Sequence, residues 1–259
     1  MVIVVVDTET TSLEKPFAYD IGYTIFDTDQ KAVLLKRSYV VEQVWHNKEL
    51  FCSAYYADKR TLYINEMRQR NIQMEKFGYI TQQMCRDFKA FNVEGAYAYN
   101  SSFDEKVFNF CCDWFKCKNP FDTIPIFDIR GYVHKFLAFD SKFQAWAELH
   151  NEFTESFNFS TTAQTIYRYI TDNPAFEEAH TALADSEIEL EILLYCIDKG
   201  AQWNTTYKVY RSIPRPLERI LELRDADGNT TEYPYQAITI YQEKGNRRRI
   251  VLRKPKPKP

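Results

Sequence analysis

The sequence has no run approaching 18 consecutive apolar residues, so it lacks the material for a transmembrane helix, and no membrane partner is expected. It also lacks the marks of export. The N-terminus enters a β-like run at once, without a basic region or a small-residue cleavage site, and no signal peptide is expected. Cysteine occurs six times, at 52, 85, 111, 112, 117 and 196, but the irregular spacing does not read as a disulfide framework. Reduced thiols in a cytoplasmic protein fit better. Cys112 and Cys117 with His134 and His150 match no zinc-ligand spacing, and such cysteines more commonly behave as small hydrophobes. There are no internal repeats.

What the chain does have is core material and a lopsided charge. Of its 259 residues 45% are hydrophobic, enough for one large domain or a domain with an appendage. The net charge of −3 hides an asymmetry: residues 201–259 hold 13 Lys and Arg against 6 Asp and Glu, leaving 20 basic against 30 acidic before them. An acidic body with a basic C-terminal part hints at a polyanionic partner.

Hydrophobic periodicity predicts strands at 2–7, 20–27 and 32–41, the last two joined by a tight turn at "TDQK". Helical patterns follow from about 48 to 70 and over 80–91. A short strand is expected at 95–99, a helix over 102–115 and a strand at 123–129. Helices are expected within 130–150 and 161–170, and over 181–198, where Gly200 stops the pattern. Strands and helices alternating after an antiparallel start indicate an α/β fold with a sheet of mixed direction. Beyond about 205, strands joined at "DGN" and "KGN" suggest a small β appendage, and "RKPKPKP" reads as an extended tail.

Three polar motifs stand out. In "IVVVDTETTS" a buried strand runs into Asp7 and Glu9, whose side chains share a face if the strand continues through them. Two such carboxylates repel unless a cation neutralises them, and oxygen ligands suit Mg²⁺ or Mn²⁺. The alternative is a strand that ends at Asp7 with both groups solvated in a loop. In "AYNSSFDEKVF" Asp104 sits in the first turns of a helix, where the helix dipole alone would favour it. In "HTALADSEIE" His180 precedes an amphipathic helix, and Asp185 lies at the edge of its apolar face. Singly, each has an ordinary structural explanation.

Together, D-x-E, then N-x-x-F-D about 95 residues on, then H-x-A-x-x-D about 80 further, resemble the DEDDh family of 3′→5′ exonucleases. That family includes the epsilon proofreading subunits of bacterial replicative polymerases and several RNases, and the resemblance covers roughly residues 1 to 200. It implies a ribonuclease H-like fold: a mixed central sheet flanked by helices over 1–203, with a helical insertion at about 43–80. The appendage would then occupy 204–250 and the basic tail 251–259. It further implies that Asp7, Glu9, Asp104 and Asp185 hold two divalent cations, Mg²⁺ or Mn²⁺, and that His180 is the general base. Substrate contacts are expected from Thr10 and Thr11, from Phe17 as a wedge or stacking residue, and from Asn100. Arg247, Arg248 and Arg249 would add a basic footprint on the phosphate backbone.

The implied activity is metal-dependent 3′→5′ cleavage of single-stranded DNA, with RNA trimming as the alternative within the family. A non-catalytic nucleic-acid-binding module is the alternative of another class. A polymerase or other replication protein is a further expected partner. The compact opening motif looks phage-like, which would place the protein in the host cytoplasm. Ser12 stands where many relatives carry Gly, which would restrict the turn that receives the terminal nucleotide.

Overall fold

The computed structural model describes residues 1–54, 57–214, 218–224, 230–236, 238–243 and 247–252, the last four segments as backbone only. By its internal contacts the chain divides into two compact units. One comprises residues 1–140 with 161–210, the other 141–160 with the chain from Arg211 onward.

The first unit is built on β1 (Val2–Thr10), β2 (Ala18–Asp27) and β3 (Ala32–Val41), consecutive and antiparallel. The chain then passes through α1 (Glu42–Trp45), α2 (Lys48–Cys52), a 3₁₀ turn at Ala57–Lys59 and α3 (Arg60–Arg68). This is the expected insertion, but it is not wholly helical. It ends in β4 (Gln73–Glu75), which pairs in parallel with β3 and is too short to show a period of two in the sequence. Next come α4 (Phe77–Ala90), β5 (Val93–Ala98), α5 (Ser101–Phe115), β6 (Ile126–Asp128) and α6 (Ile129–Phe136). In the second unit lies α7 (Ser141–Leu149); α8 (Ala163–Ile170) and α9 (Ala182–Asp198) return to the first. Sheet order is β4-β3-β2-β1-β5-β6, with β5 parallel to both β1 and β6.

Alternation along the strands sets two faces. Val4 and Val6 of β1 and Ile21, Tyr23 and Ile25 of β2 are fully buried in one core with Met84 of α4 and Val107 and Phe108 of α5. Each such side chain contributes about 1.5–3 kcal/mol by leaving water. The opposite face of β2 meets α9. Asp20 Oδ2 accepts a hydrogen bond from the Ala182 amide at 2.9 Å, and Thr24 Oγ1 lies 3.2 Å from Ser186 Oγ. Between them is Gly22, where a β-carbon would fall 2.1 Å from the Leu183 amide nitrogen. Helix α9 therefore rests directly on the strand backbone.

In the second unit Phe159 forms antiparallel bridges with Phe153 and Ile213. Beyond it, β7 (Glu218–Arg224) pairs antiparallel with β8 (Thr230–Gln236), and β9 (Ile238–Glu243) with β10 (Arg247–Leu252). The turns "DGN" and "KGN" and the tail from 253 onward lie outside the described residues. Residues 141–160, read from sequence as part of the first domain, group with this second unit. Among the described residues no helix is long and apolar enough to cross a membrane.

Candidate active site

The question raised by "IVVVDTETTS" is whether the strand stops at Asp7. It does not: β1 continues to Thr10, with Asp7 opposite Gly22 and Glu9 opposite Asp20, and its register shifts only between Glu9 and Thr10. Asp7 and Glu9 therefore share the face that α9 covers. Thr8 points the other way, and its hydroxyl donates to Asp104 Oδ1 at 2.8 Å. Asp104 is in the first turn of α5, buried at 3% exposure. The carboxylates gather where β1 runs out beside its parallel neighbour β5, a common location for sites in α/β sheets.

Asp185 comes from the first turn of α9 and His180 from the residues before it. A ligand atom from each of Glu9, His180 and Asp185 lies within 4.8 Å of the other two. His180 has φ of 50°, a left-handed conformation that is costly for a non-glycine residue, and its Nδ1 faces Glu178 Oε2 at 3.6 Å.

The electrostatics report crowding of like charge. Asp7 is partly open to solvent, yet the protein around it and the charges of Glu189, Asp104 and Asp185 raise its pKa well above the usual range. Burial and then Asp185 push Glu9 up to about 9. Asp104 rises to about 7 through burial, opposed by the Thr8 hydroxyl. Asp185 rises to about 7 through burial, with Glu178 and Asp20 adding to it. His180 moves down, first by burial and then by the positive charge of Lys59. Carboxylates that resist ionisation side by side, joined by one imidazole, make an oxygen-rich donor set that suits Mg²⁺ or Mn²⁺. Asp185 Oδ1, buried and without a hydrogen-bond partner, adds to that fit.

The remaining predicted residues are placed as follows. Thr10 Oγ1 and Thr11 Oγ1 donate within their own loop, to the carbonyls of Ser12 and Lys15, each at 3.5 Å. Phe17 is buried, with its ring edge-on to Phe110 and Trp114 at 4.9 and 5.2 Å. Asn100 takes φ of 66° just before α5 and its side chain makes no cap; its amide donates to Asp128 Oδ1 at 3.0 Å. Arg247, Arg248 and Arg249 belong to β10, and their side chains lie outside the described residues.

Several residues here were not singled out from sequence. Glu189 is buried at 3% exposure, and its Oε2 accepts from the Tyr99 amide at 3.1 Å, at the end of β5. Burial and then Asp104 hold its pKa well above normal. The signal was available: a carboxylate flanked by Ile188 and Leu190, one turn beyond Asp185. Lys59 reaches in from the insertion, its Nζ donating to the Ala179 carbonyl at 2.6 Å, next to His180. Asp20, wholly buried, also accepts from the Tyr63 hydroxyl at 2.7 Å, and so joins the insertion to the start of α9.

No family model matches the sequence, and no curated protein matches it. Solved structures do match. The nuclease domain of 3′hExo, a DEDDh family member bound to rAMP, superposes with a TM-score of 0.56 at 13% identity, over 82% of this chain and 97% of that one. A 3′-exonuclease with 3′-end specific recognition of a histone mRNA stem-loop gives 0.55 at 13% identity, over 89% of each chain. The mixed six-stranded sheet flanked by helices is thus the ribonuclease H-like fold of DEDDh 3′→5′ exonuclease structures.

Proposed function

We propose that the protein is a metal-dependent 3′→5′ exonuclease that releases nucleotides from the 3′ end of single-stranded DNA. The observation that carries this reading is the meeting of Asp7 and Glu9 from β1, Asp104 from α5, and Asp185 with His180 from the start of α9. The four carboxylates would hold two divalent cations. When bound, these lower the pKa of a water and neutralise charge on the attacking and leaving oxygens of the phosphodiester.

The chain's own residues do the rest. Strand β1 and the first turns of α5 and α9 fix the carboxylates, so the phosphodiester is oriented without reorganising the site. His180, whose Nδ1 faces Glu178 Oε2 at 3.6 Å, takes the proton from the attacking water. Burial and Lys59 keep the imidazole neutral at pH 7, the form that can accept it. Thr10 and Thr11 shape the loop beside the terminal nucleotide, and Asn100 sets the turn that delivers Asp104. Arg247, Arg248 and Arg249 are assigned to the phosphate backbone, with a replication polymerase as a partner for the same basic region.

A ribonucleotide end is the second reading, favoured by the rAMP and the histone mRNA stem-loop of the structural neighbours. The test offers 5′-labelled single-stranded DNA, duplex DNA and RNA with Mg²⁺, Mn²⁺ or EDTA. A ladder that shortens from the 3′ end, and is lost with EDTA and in Asp7→Ala, is the expected result. Intact substrate with either metal would overturn the nuclease reading, and binding without cleavage would leave a nucleic-acid-binding module.

A further inference from the structure

The loop that follows Glu9 does not hang free; it is laid along α5. Lys106 Nζ donates to the Leu13 carbonyl at 2.6 Å, and Cys111 Sγ lies within 3.5 Å of the Pro16 carbonyl and accepts from the Ala18 amide. Phe17, one residue before β2, wedges its ring edge against Phe110 and Trp114. Those two rings, one helical turn apart, lie nearly parallel, at 27° and 6.1 Å between centroids. Trp114 is held in place on its inner side and is still 62% exposed.

An immobilised, exposed indole is a specific kind of surface. A cleft of about 670 Å³ opens between α4 and the end of α5, lined by Lys76, Tyr79, Phe115 and Lys118 among others, and the ring of Phe115, the residue after Trp114, also stands 6.2 Å from that of Phe17. Lys15 and Lys116 are exposed on the same stretch, with Glu14 and Asp113 as the opposing charges. This lysine-rich surface belongs to an otherwise acidic body.

We propose that Trp114, supported by Phe17 and Phe110, is a stacking platform for bases upstream of the 3′ end, with the strand's phosphates led on toward Lys118 and Lys76. The proposal rests on the exonuclease reading for its direction, since the loop that buttresses Trp114 begins at the carboxylates. A protein partner fits less well. The large apolar side chains exposed here, Leu13, Tyr79 and Trp114, are few against the roughly 800 Å² per partner of a stable interface. Base–aromatic stacking beside cationic side chains is how single strands are held without regard to sequence.

The helix also sets a ruler. Trp114 is ten residues beyond Asp104, about 15 Å along α5. At about 3.4 Å per nucleotide, the spacing of a fully stacked strand, that is at most about four nucleotides from the cleaved end. The platform thus acts on substrates of several nucleotides and is idle on a dinucleotide.

The test uses the full chain with oligothymidylates of 2 to 12 residues and the chromogenic ester p-nitrophenyl thymidine 5′-monophosphate. Binding is read in EDTA, by anisotropy of a 5′-labelled 12-mer. Trp114→Ala should weaken that binding by about ten-fold or more, with Trp114→Phe largely restoring it. Hydrolysis of the ester and of the dinucleotide should stay unchanged in both variants. Equal binding of the 12-mer by wild type and Trp114→Ala overturns the proposal, as does a loss of ester hydrolysis equal to any loss on the 12-mer. A shift from dimer to monomer in Trp114→Ala, seen by sedimentation, would assign the patch to self-association and overturn it also. Because binding is read without metal, a wild type that cleaves nothing yet binds the 12-mer through Trp114 would sink the nuclease reading and leave the platform standing.

Discussion

Gly22 sits opposite Asp7 in the β1–β2 ladder, directly beneath the backbone of Leu183 at the start of α9. A β-carbon there would fall 2.1 Å from the Leu183 nitrogen and 2.2 Å from the Ala182 carbonyl carbon. The absence of a side chain at position 22 is what lets the helix carrying Asp185 descend beside Asp7. Gly22→Ala is therefore expected to lift the first turn of α9, at a cost of about 3 kcal/mol or more, the upper range for overpacking. Thermal melts and turnover should fall together. A Gly22→Ala protein with wild-type Tm and activity would show that α9 does not pack as described.

Asp20 fastens the same helix by hydrogen bonding. Thr181, at the N-cap position, makes no side-chain cap, and Asp20 from β2 accepts the Ala182 amide in its place, with the Tyr63 hydroxyl as second donor. Losing a helix cap costs about 1 kcal/mol, and leaving a buried donor unmet costs about 1–3 kcal/mol. Asp20→Ala removes the acceptor from both donors, whereas Tyr63→Phe removes one donor and leaves the cap. The expected order of stability in urea melts is wild type, Tyr63→Phe, Asp20→Ala. Equal losses would mean that the cap contributes nothing.

The crowded carboxylates give stability a definite pH slope. Their folded pKa values are raised, to about 6 for Asp20, about 7 for Asp104 and Asp185, and about 9 for Glu9. The folded protein then holds protons that the unfolded chain has already released, so stability without metal falls as pH rises through those values. His134, lowered to about 4 by burial, and His180, also lowered, act in the opposite sense below about pH 6.5, where the unfolded chain would take up their protons. The window to use is therefore pH 7 to 9, where the histidines no longer oppose the slope and the buried thiols of Cys111 and Cys196, raised to about 11 and about 12, add to it only near the upper end. In EDTA the Tm should drop across it, and Mg²⁺ or Mn²⁺ should flatten the drop by neutralising the cluster. A metal-free Tm that climbs from pH 7 to 9 would contradict the arrangement of charges.

Most of the candidate site's geometry was legible because its parts lie in motifs whose local geometry is fixed by sequence. A strand through Asp7 and Glu9 puts both on one face, and the helix after His180 delivers Asp185. What was not legible depends on long-range packing. Thr8 reads as the other face of the strand until α5 is seen to bring Asp104 to it. Asp20 reads as a strand residue until Tyr63 and Ala182, 43 and 162 positions away, are placed on it. Phe17 reads from the sequence as a wedge or stacking residue, and its edge-on packing against Phe110 and Trp114 appears only once α5 is placed. The insertion's strand β4 was missed because three residues carry no measurable period.

His180 can be separated from the carboxylates by experiment. On the proposed role as proton acceptor, His180→Ala should lower turnover by about 10²–10⁴ while Mn²⁺ binding, read by calorimetry, persists. Its ligand atom also lies within 4.8 Å of those of Glu9 and Asp185, so a direct metal contact makes the opposite forecast: affinity falls along with turnover. Unchanged turnover would make His180 structural.

Glu189 is the sharpest case, because its charge and its hydrogen bond can be removed one at a time. Its carboxylate accepts from the Tyr99 amide and is the largest charge acting on Asp7. Glu189→Gln keeps an oxygen for Tyr99 and deletes the charge; Glu189→Leu deletes both. Without metal, Glu189→Gln should lose less stability than wild type as pH rises, since Gln has no buried proton to give up. Glu189→Leu should be less stable than Glu189→Gln, by the about 1–3 kcal/mol of an unmet buried amide. With the carboxylate lost, Mn²⁺ affinity should fall by about 10–100-fold in both, the usual effect of removing a group that supports metal ligands. If both variants bind Mn²⁺ as wild type does, Glu189 serves only to tie α9 to the end of β5, and the metal cluster is complete with Asp7, Glu9, Asp104 and Asp185.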